Sequence, residues 1–240
     1  MSTPTVLSLD RWIPDMGVTH QADTFSQVLP TGIEALDQAL GGGFPKGKLV
    51  EIFPQRFGRC EASLLFGALA KMKHVTWILN SAEPMIPFRY GFERAGLQMS
   101  RQLFVSPASV KDAFWATEQA ILSGETDAVV AWLNPLASQE DRHAMQRIKL
   151  ACTQGKVSVF IIRPFVLSGV DSPAHMRVQL YLGETSDTVE ARIVRDSLFF
   201  SRPQRATFPL RFERHFLSQP AASPVVRQEP WQANPALMAA

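Results

Sequence analysis

Residues 29 to 66 read LPTGIEALDQALGGGFPKGKLVEIFPQRFGRCEASLLF, and this stretch decides how the rest of the chain folds. Its pattern predicts a short helix from Gly32 to Leu40, a glycine turn at 41–43, a buried strand from Leu49 to Phe53, a tight loop, and a helix from Glu61 to Lys73. A strand that ends in a glycine-bearing loop and opens a helix is the geometry that cradles phosphate, because the helix N-terminus offers unpaired amides and a partial positive charge. The stretch therefore predicts a loop of the phosphate-binding type.

The loop itself lacks most of the residues that such a site uses. The phosphate-loop pattern is G-x-x-x-x-G-K-[ST], and residues 53–60 (FPQRFGRC) retain only its second glycine, Gly58. Pro54 removes one backbone amide from the loop, since proline has no N–H. The geometry is thus predicted to survive without the chemistry.

The run before the loop resembles the core entry of the RecA recombinase family. The positions that carry the resemblance are Thr31-Gly32, Leu36-Asp37, Leu40 to Gly43, Gly47 and Val50 to Ile52, at a spacing that is hard to meet by accident. Among RecA relatives the chain most resembles the ImuA family, RecA-like members of a bacterial mutagenesis cassette for translesion DNA synthesis. The resemblance implies an α/β fold, a RecA-like core with a mainly parallel central sheet flanked by helices.

Aligned with that family, the loop has lost its catalytic groups. Arg59 stands at the lysine position, and its planar fork does not place a donor where a lysine ammonium sits. Cys60 stands at the threonine position, and a thiol is a poor ligand for Mg²⁺. Glu61 follows in the first turn of the predicted helix, where it suits the helix dipole but repels a triphosphate. We therefore expect no ATP hydrolysis, no cofactor and no bound metal; the alternative is an ordinary strand-to-helix turn that never held nucleotide.

A second loss falls on the central strand. RecA ATPases hold an acid at the end of that strand, where it binds the magnesium shell. The resemblance places Trp132 at this position, at the end of the predicted strand from Asp127 to Leu133.

The remaining chain alternates apolar runs with helical patterns, as expected of βαβ units. Further strands are predicted at Val75–Leu79, Leu103–Val105 and Val157–Ile162, with helices at Pro87–Ala95, after a Ser109 cap, and between a Ser138 cap and Gly155. Period-two alternation on both sides of a polar turn at 183–188 predicts an antiparallel hairpin, and a further strand is predicted from Ala206 to Phe212. The fold therefore gains a C-terminal antiparallel β-hairpin extension.

The sequence predicts three segments: an N-terminal arm at 1–28, a RecA-like domain at 29–216 and a disordered C-terminal tail at 217–240. Trp12, Phe25 and Trp231 are candidate partner anchors, because buried aromatics dominate small interfaces. The alternatives are that Trp12 folds back on its own domain and that the tail only solubilises the chain.

Composition favours a soluble cytoplasmic protein. The 240 residues are 46% hydrophobic, enough for one large core, and no apolar run approaches the ~20 residues of a membrane span. Two cysteines, Cys60 and Cys152, are predicted to be small buried hydrophobes in a reducing compartment. A net charge of +2 is too small to indicate a nucleic-acid partner by itself.

DNA contact is a separate hypothesis. RecA proteins hold DNA in loops that correspond here to Asn134–Ser138 and Phe165–Ala174, and neither segment carries a basic cluster. Around the hairpin lie four arginines that form a candidate patch for DNA or for an acidic partner: Arg192, Arg195, Arg202 and Arg205. The alternative is a solvated face.

The resemblance implies a non-catalytic accessory protein of the SOS response to DNA damage. Its implied partners are ImuB, an inactive lesion-bypass polymerase relative, and through it an error-prone DNA polymerase and the sliding clamp, with RecA as a further candidate. Two alternatives stay open: a SulA-like inhibitor that binds the tubulin-like division protein, since residues 127–164 also resemble that family, and a weak DNA-dependent ATPase.

Overall fold

A computed structural model of the chain describes residues 28–58, 61–80, 89–183, 188–196 and 205–209. The described helices are α1 Glu34–Ala39, α2 Ser63–Leu69, α3 Arg89–Arg94, α4 Val110–Leu122 and α5 Ser138–Gly155, with 3-10 helices at Met99–Arg101 and Phe165–Gly169. The described strands are β1 Val28–Leu29, β2 Phe44–Pro45, β3 Leu49–Pro54, β4 Val75–Ile78, β5 Gln102–Val105, β6 Ala128–Trp132, β7 Ser158–Ile162, β8 Met176–Leu182, β9 Thr188–Asp196 and β10 Arg205–Pro209. None of the described helices is long and apolar enough to cross a bilayer.

Eight strands form one mixed sheet in the order β10-β9-β8-β3-β7-β6-β4-β5. The strands from β8 to β5 pair in parallel, whereas β8, β9 and β10 pair antiparallel. The predicted fold class is confirmed: an α/β fold, consistent with a RecA-like core, with antiparallel strands at its C-terminal end. The short strands β1 and β2 pair separately.

Helices cover both faces of this sheet. Leu36 of α1, Leu64 of α2 and Phe92 of α3 belong to one hydrophobic cluster, and Phe114 of α4 and Ile148 of α5 belong to the cluster on the other face. Every residue of β3 and β6 is buried, as expected of central parallel strands that are covered on both sides. Open α/β folds bind ligands at the carboxyl ends of such strands.

The TG…LD spacing has a direct structural cause. The Asp37 carboxylate accepts hydrogen bonds from the Thr31 amide (2.7 Å), the Thr31 hydroxyl (2.7 Å) and the Gly32 amide (3.1 Å). Gly32 has φ +80°, a conformation that favours glycine. A Cβ at Gly67 of α2 would collide with the Thr31 carbonyl, so this turn packs directly on α2. The motif holds α1 and α2 together.

Several predicted boundaries are correct and others are wrong. Ser109 caps α4 as predicted, since its Oγ accepts from the Asp112 amide at 3.1 Å. Ser138 does not cap α5: it is the first helical residue, and the cap position is Ala137 without a side-chain bond. There the Asp141 carboxylate accepts the Leu136 amide instead, at 3.1 Å.

The helix after the phosphate loop is shorter than predicted. It begins at Ser63 and ends at Leu69, so Glu61 precedes the helix rather than lying in its first turn. The prediction used only the spacing of the apolar residues. That spacing does not show that the Glu61 side chain bonds the Gly58 amide of the loop before the helix begins.

Some predictions fall outside the described residues. These are the arm before residue 28 with Trp12 and Phe25, the tail with Trp231, and Arg59, Cys60 and Arg202. They stay predictions.

Candidate functional site at the degenerate phosphate loop

The loop after β3 binds a carboxylate of its own chain. Pro54 ends the strand, and Gly58 adopts φ +76°. The Gly58 amide donates to Glu61 Oε1 at 2.6 Å, and the Glu61 side chain is buried. Gly58 is the one glycine of the phosphate-loop pattern that this loop retains. The backbone amides of phosphate loops donate hydrogen bonds to bound anions. An internal anion therefore takes a donor that a phosphate would need.

The end of β6 is filled by an indole. Trp132 is 6% exposed and stacks on Trp77, with ring centroids 6.3 Å apart and an interplanar angle of 28°. Its Nε1 is buried and has no hydrogen-bond partner among the described residues. A carboxylate at this position would be desolvated beside aromatic rings, which is costly without a paired charge. This environment suits an apolar residue and not a magnesium-binding acid.

A buried ion network joins β3, β8, α5 and the residue after β7, and sequence reasoning missed it. Glu51 of β3 is 0% exposed and lies between two arginines: its Oε2 accepts from Arg177 Nε at 2.9 Å, and its Oε1 is 3.5 Å from Arg163 Nη1. Arg163 Nη2 also donates to Asp141 Oδ1 at 2.6 Å. The signal that could have revealed it is Glu51 itself, a charge inside an otherwise apolar strand.

Comparison with known proteins gives a consistent result. The chain is 28% identical over 141 residues to a plasmid-encoded RecA of Lactococcus lactis, covering 57% of this chain and 40% of that protein. It is 34% identical over 118 residues to the RecA of Ehrlichia ruminantium (47% and 33% covered) and 33% identical over 129 residues to that of Thermus thermophilus (51% and 38% covered). The chain is similar to RecA proteins. It spans 40% or less of these relatives' lengths, and no family model matches it.

Within the described residues, the RecA-like sheet has an open groove at its β5 edge. Among the described residues β5 pairs only with β4, and a groove of about 710 Å³ lies between β5 and α4. Its walls are mostly apolar or small, and they include Leu103 and Val105 of β5 and Ala116 and Ala120 of α4. Leu103 and the flanking Trp115 are 59% and 62% exposed. Exposed apolar side chains that border a groove are typical of protein-binding surfaces.

Three of the four arginines of the predicted patch lie in described strands. In the RecA-like sheet Arg192 lies on β9 directly opposite Arg205 of β10, and Arg195 lies opposite Arg177 of β8. Arg192 is half-buried, and its Nε has no hydrogen-bond partner in the described part of the chain. The register therefore brings three of the predicted residues into neighbouring strands, and the patch stays a hypothesis for DNA or an acidic partner.

Proposed function

We propose that this chain is a non-catalytic RecA-like accessory protein of damage-induced mutagenesis, acting in the cytoplasm. The observation that carries the proposal is the bond from the Gly58 amide to the buried Glu61 carboxylate. A triphosphate would have to displace this carboxylate and then lie close to its negative charge. Electrostatic repulsion inside a water-poor site is costly, so the loop disfavours nucleotide.

Trp132 supports the same conclusion from a second position. Magnesium-dependent phosphoryl transfer needs an oxygen ligand near the end of the central strand. The resemblance assigns that position to Trp132, whose indole lies within the aromatic core. ATP hydrolysis would therefore lack both a free amide to bind the phosphate and an oxygen ligand to bind the magnesium ion.

A core without a nucleotide acts through its surfaces. The groove between β5 and α4 offers an apolar wall and a strand edge that no described strand pairs with, which suit an apolar segment of another protein. We propose that its partner is an ImuB-type inactive polymerase relative, which would connect the chain to an error-prone polymerase and the sliding clamp. This choice of partner rests on the resemblance to the ImuA family.

Equilibrium binding of labelled ATP with magnesium, with and without single-stranded DNA, tests the first part. We expect no saturable binding and no turnover, with a RecA protein as the positive control. Saturable magnesium-dependent binding or steady hydrolysis of ATP by the purified chain would overturn the proposal and support the weak DNA-dependent ATPase.

Pull-down by an immobilised ImuB-type protein tests the second part. Leu103→Lys in the groove should reduce capture at least tenfold, whereas Leu150→Lys on α5 should not, although the two leucines are similarly exposed, at 59% and 62%. Capture by the tubulin-like division protein, and not by the polymerase relative, would favour the SulA-like alternative. Equal loss from both variants would contradict the groove assignment.

A further inference from the structure

The buried ion network links two loops that follow neighbouring strands. Residues 133–137 follow β6, and residues 163–170 follow β7. These loops lie at the carboxyl ends of parallel strands, where ligands bind in open α/β sheets. They are therefore the part of the core that a bound ligand would be expected to move.

One oxygen atom joins the two loops. Asp141 Oδ1 accepts the Leu136 amide of the first loop at 3.1 Å and Arg163 Nη2 of the second at 2.6 Å. The side chains of Arg163 and Glu51 are 5% and 0% exposed, and that of Asp141 is 15% exposed. Charge-assisted bonds of this kind are short and strong.

Glu51 and Arg177 extend the network to the sheet. Glu51 contacts Arg163 and Arg177, and Arg177 Nη2 donates to the Leu167 carbonyl of the second loop at 3.1 Å. The Arg177 guanidinium also lies over the Phe53 ring, 4.8 Å from its centroid. The second loop is thus held at its first residue, Arg163, and at Leu167.

The charges of the network cancel. Two carboxylates, Glu51 and Asp141, meet two guanidinium groups, Arg163 and Arg177. A buried network that is internally neutral needs no external counterion, whereas removal of one member leaves an uncompensated buried charge. The network is therefore electrically neutral without a ligand, although the buried Nε of Arg163 has no hydrogen-bond partner among the described residues.

We propose that Glu51, Asp141, Arg163 and Arg177 form a strut that holds both loops in one arrangement, whatever lies at the phosphate loop. The inference rests on the proposed function and deepens it, because in a core without a nucleotide the arrangement of these two loops must come from contacts within the chain. The cleft of about 340 Å³ between the loops, which Leu136, Arg163 and Leu167 line, then keeps one shape.

Hydrogen–deuterium exchange of the full chain tests the strut, with two neighbouring positions of α5 as a matched pair. In Asp141→Asn the amides of residues 134, 136–137 and 165–170 should exchange about tenfold faster, while β6 amides stay unchanged. Glu140→Gln removes the exposed pair of Glu140 with Lys111 and should change neither loop. Loop exchange within twofold of wild type in Asp141→Asn, or equal acceleration of loops and β6, would overturn the proposal.

A measurement on the unmodified chain decides the matter if Asp141→Asn does not fold. The Leu136 amide should be protected to within about tenfold of the Leu133 amide, which donates to Ile162 of the sheet. Exchange of Leu136 at the rate of an open loop amide would contradict the strut. Detected ATP turnover would instead overturn the proposed function, so the two failures are distinguishable.

Discussion

Replacing Trp132 by Phe should cost the fold less than replacing Trp77 by Phe, although the two indoles stack on each other and both are buried. They differ in their N–H groups. Trp77 Nε1 donates to Gln102 Oε1 at 2.8 Å, whereas Trp132 Nε1 has no partner within the described residues. The comparison therefore isolates the hydrogen-bonding state of a buried donor.

The magnitude follows from that difference. Both substitutions remove a similar apolar area, so their transfer terms nearly cancel. Trp77→Phe removes a hydrogen bond, at a net cost of about 0.5–1.5 kcal/mol. Trp132→Phe removes a buried donor that has no partner among the described residues, and so recovers about 1–3 kcal/mol of desolvation. We expect the free energy of unfolding of Trp132→Phe to exceed that of Trp77→Phe by about 1.5–4.5 kcal/mol.

Urea unfolding followed by far-ultraviolet circular dichroism measures this difference without relying on tryptophan fluorescence. The two slopes with denaturant should agree, because the variants expose nearly the same surface. An equal or larger loss of stability in Trp132→Phe would refute the reasoning, since it would mean that the Trp132 N–H has a partner.

Three further predictions concern single positions, each checked by the same unfolding assay. Asp37→Ala should lose about 1.5–3 kcal/mol, because one charged group accepts three donors of the preceding turn. Gly67→Ala should lose about 1–3 kcal/mol through its collision with Thr31, whereas Gly169→Ala, with open space around the new Cβ, should stay near neutral. Burial raises the pKa of the Cys152 thiol from 9.0 to about 12. The unfolded thiol therefore ionises first, and stability should fall as pH rises from about 9 towards 12; Cys152→Ala should remove that component, and an unchanged pH profile would contradict it.

Local patterns account for most of the core. The apolar run of β3 and the helical period of α4 each identify their element, because burial imposes a repeat that nearby residues carry. The TG…LD spacing is likewise local, since Asp37 bonds a turn only five and six positions before it. Boundaries failed where a cap came from an unexpected residue, as at Ser138, where Asp141 satisfies the loop instead.

The candidate site was only partly predictable. Gly58 and Glu61 are three positions apart, so the repulsion between Glu61 and a phosphate bound at the loop could be inferred from nearby sequence. No local pattern could pair Glu51 with Arg163 and Arg177, which lie 112 and 126 positions away. The groove at β5 was equally hidden, because it exists only once the strand order places β5 at the edge.

The amino-acid sequence alone determined the alternation of strands and helices, the entry turn and the loss of phosphate-loop residues. Tertiary structure decided which charges meet, which strand lies at the edge, and which donor Glu61 occupies. The physical reason is range: periodicity and capping act within a few residues, whereas burial of an ion pair depends on sheet order, which brings distant strands to within hydrogen-bonding distance.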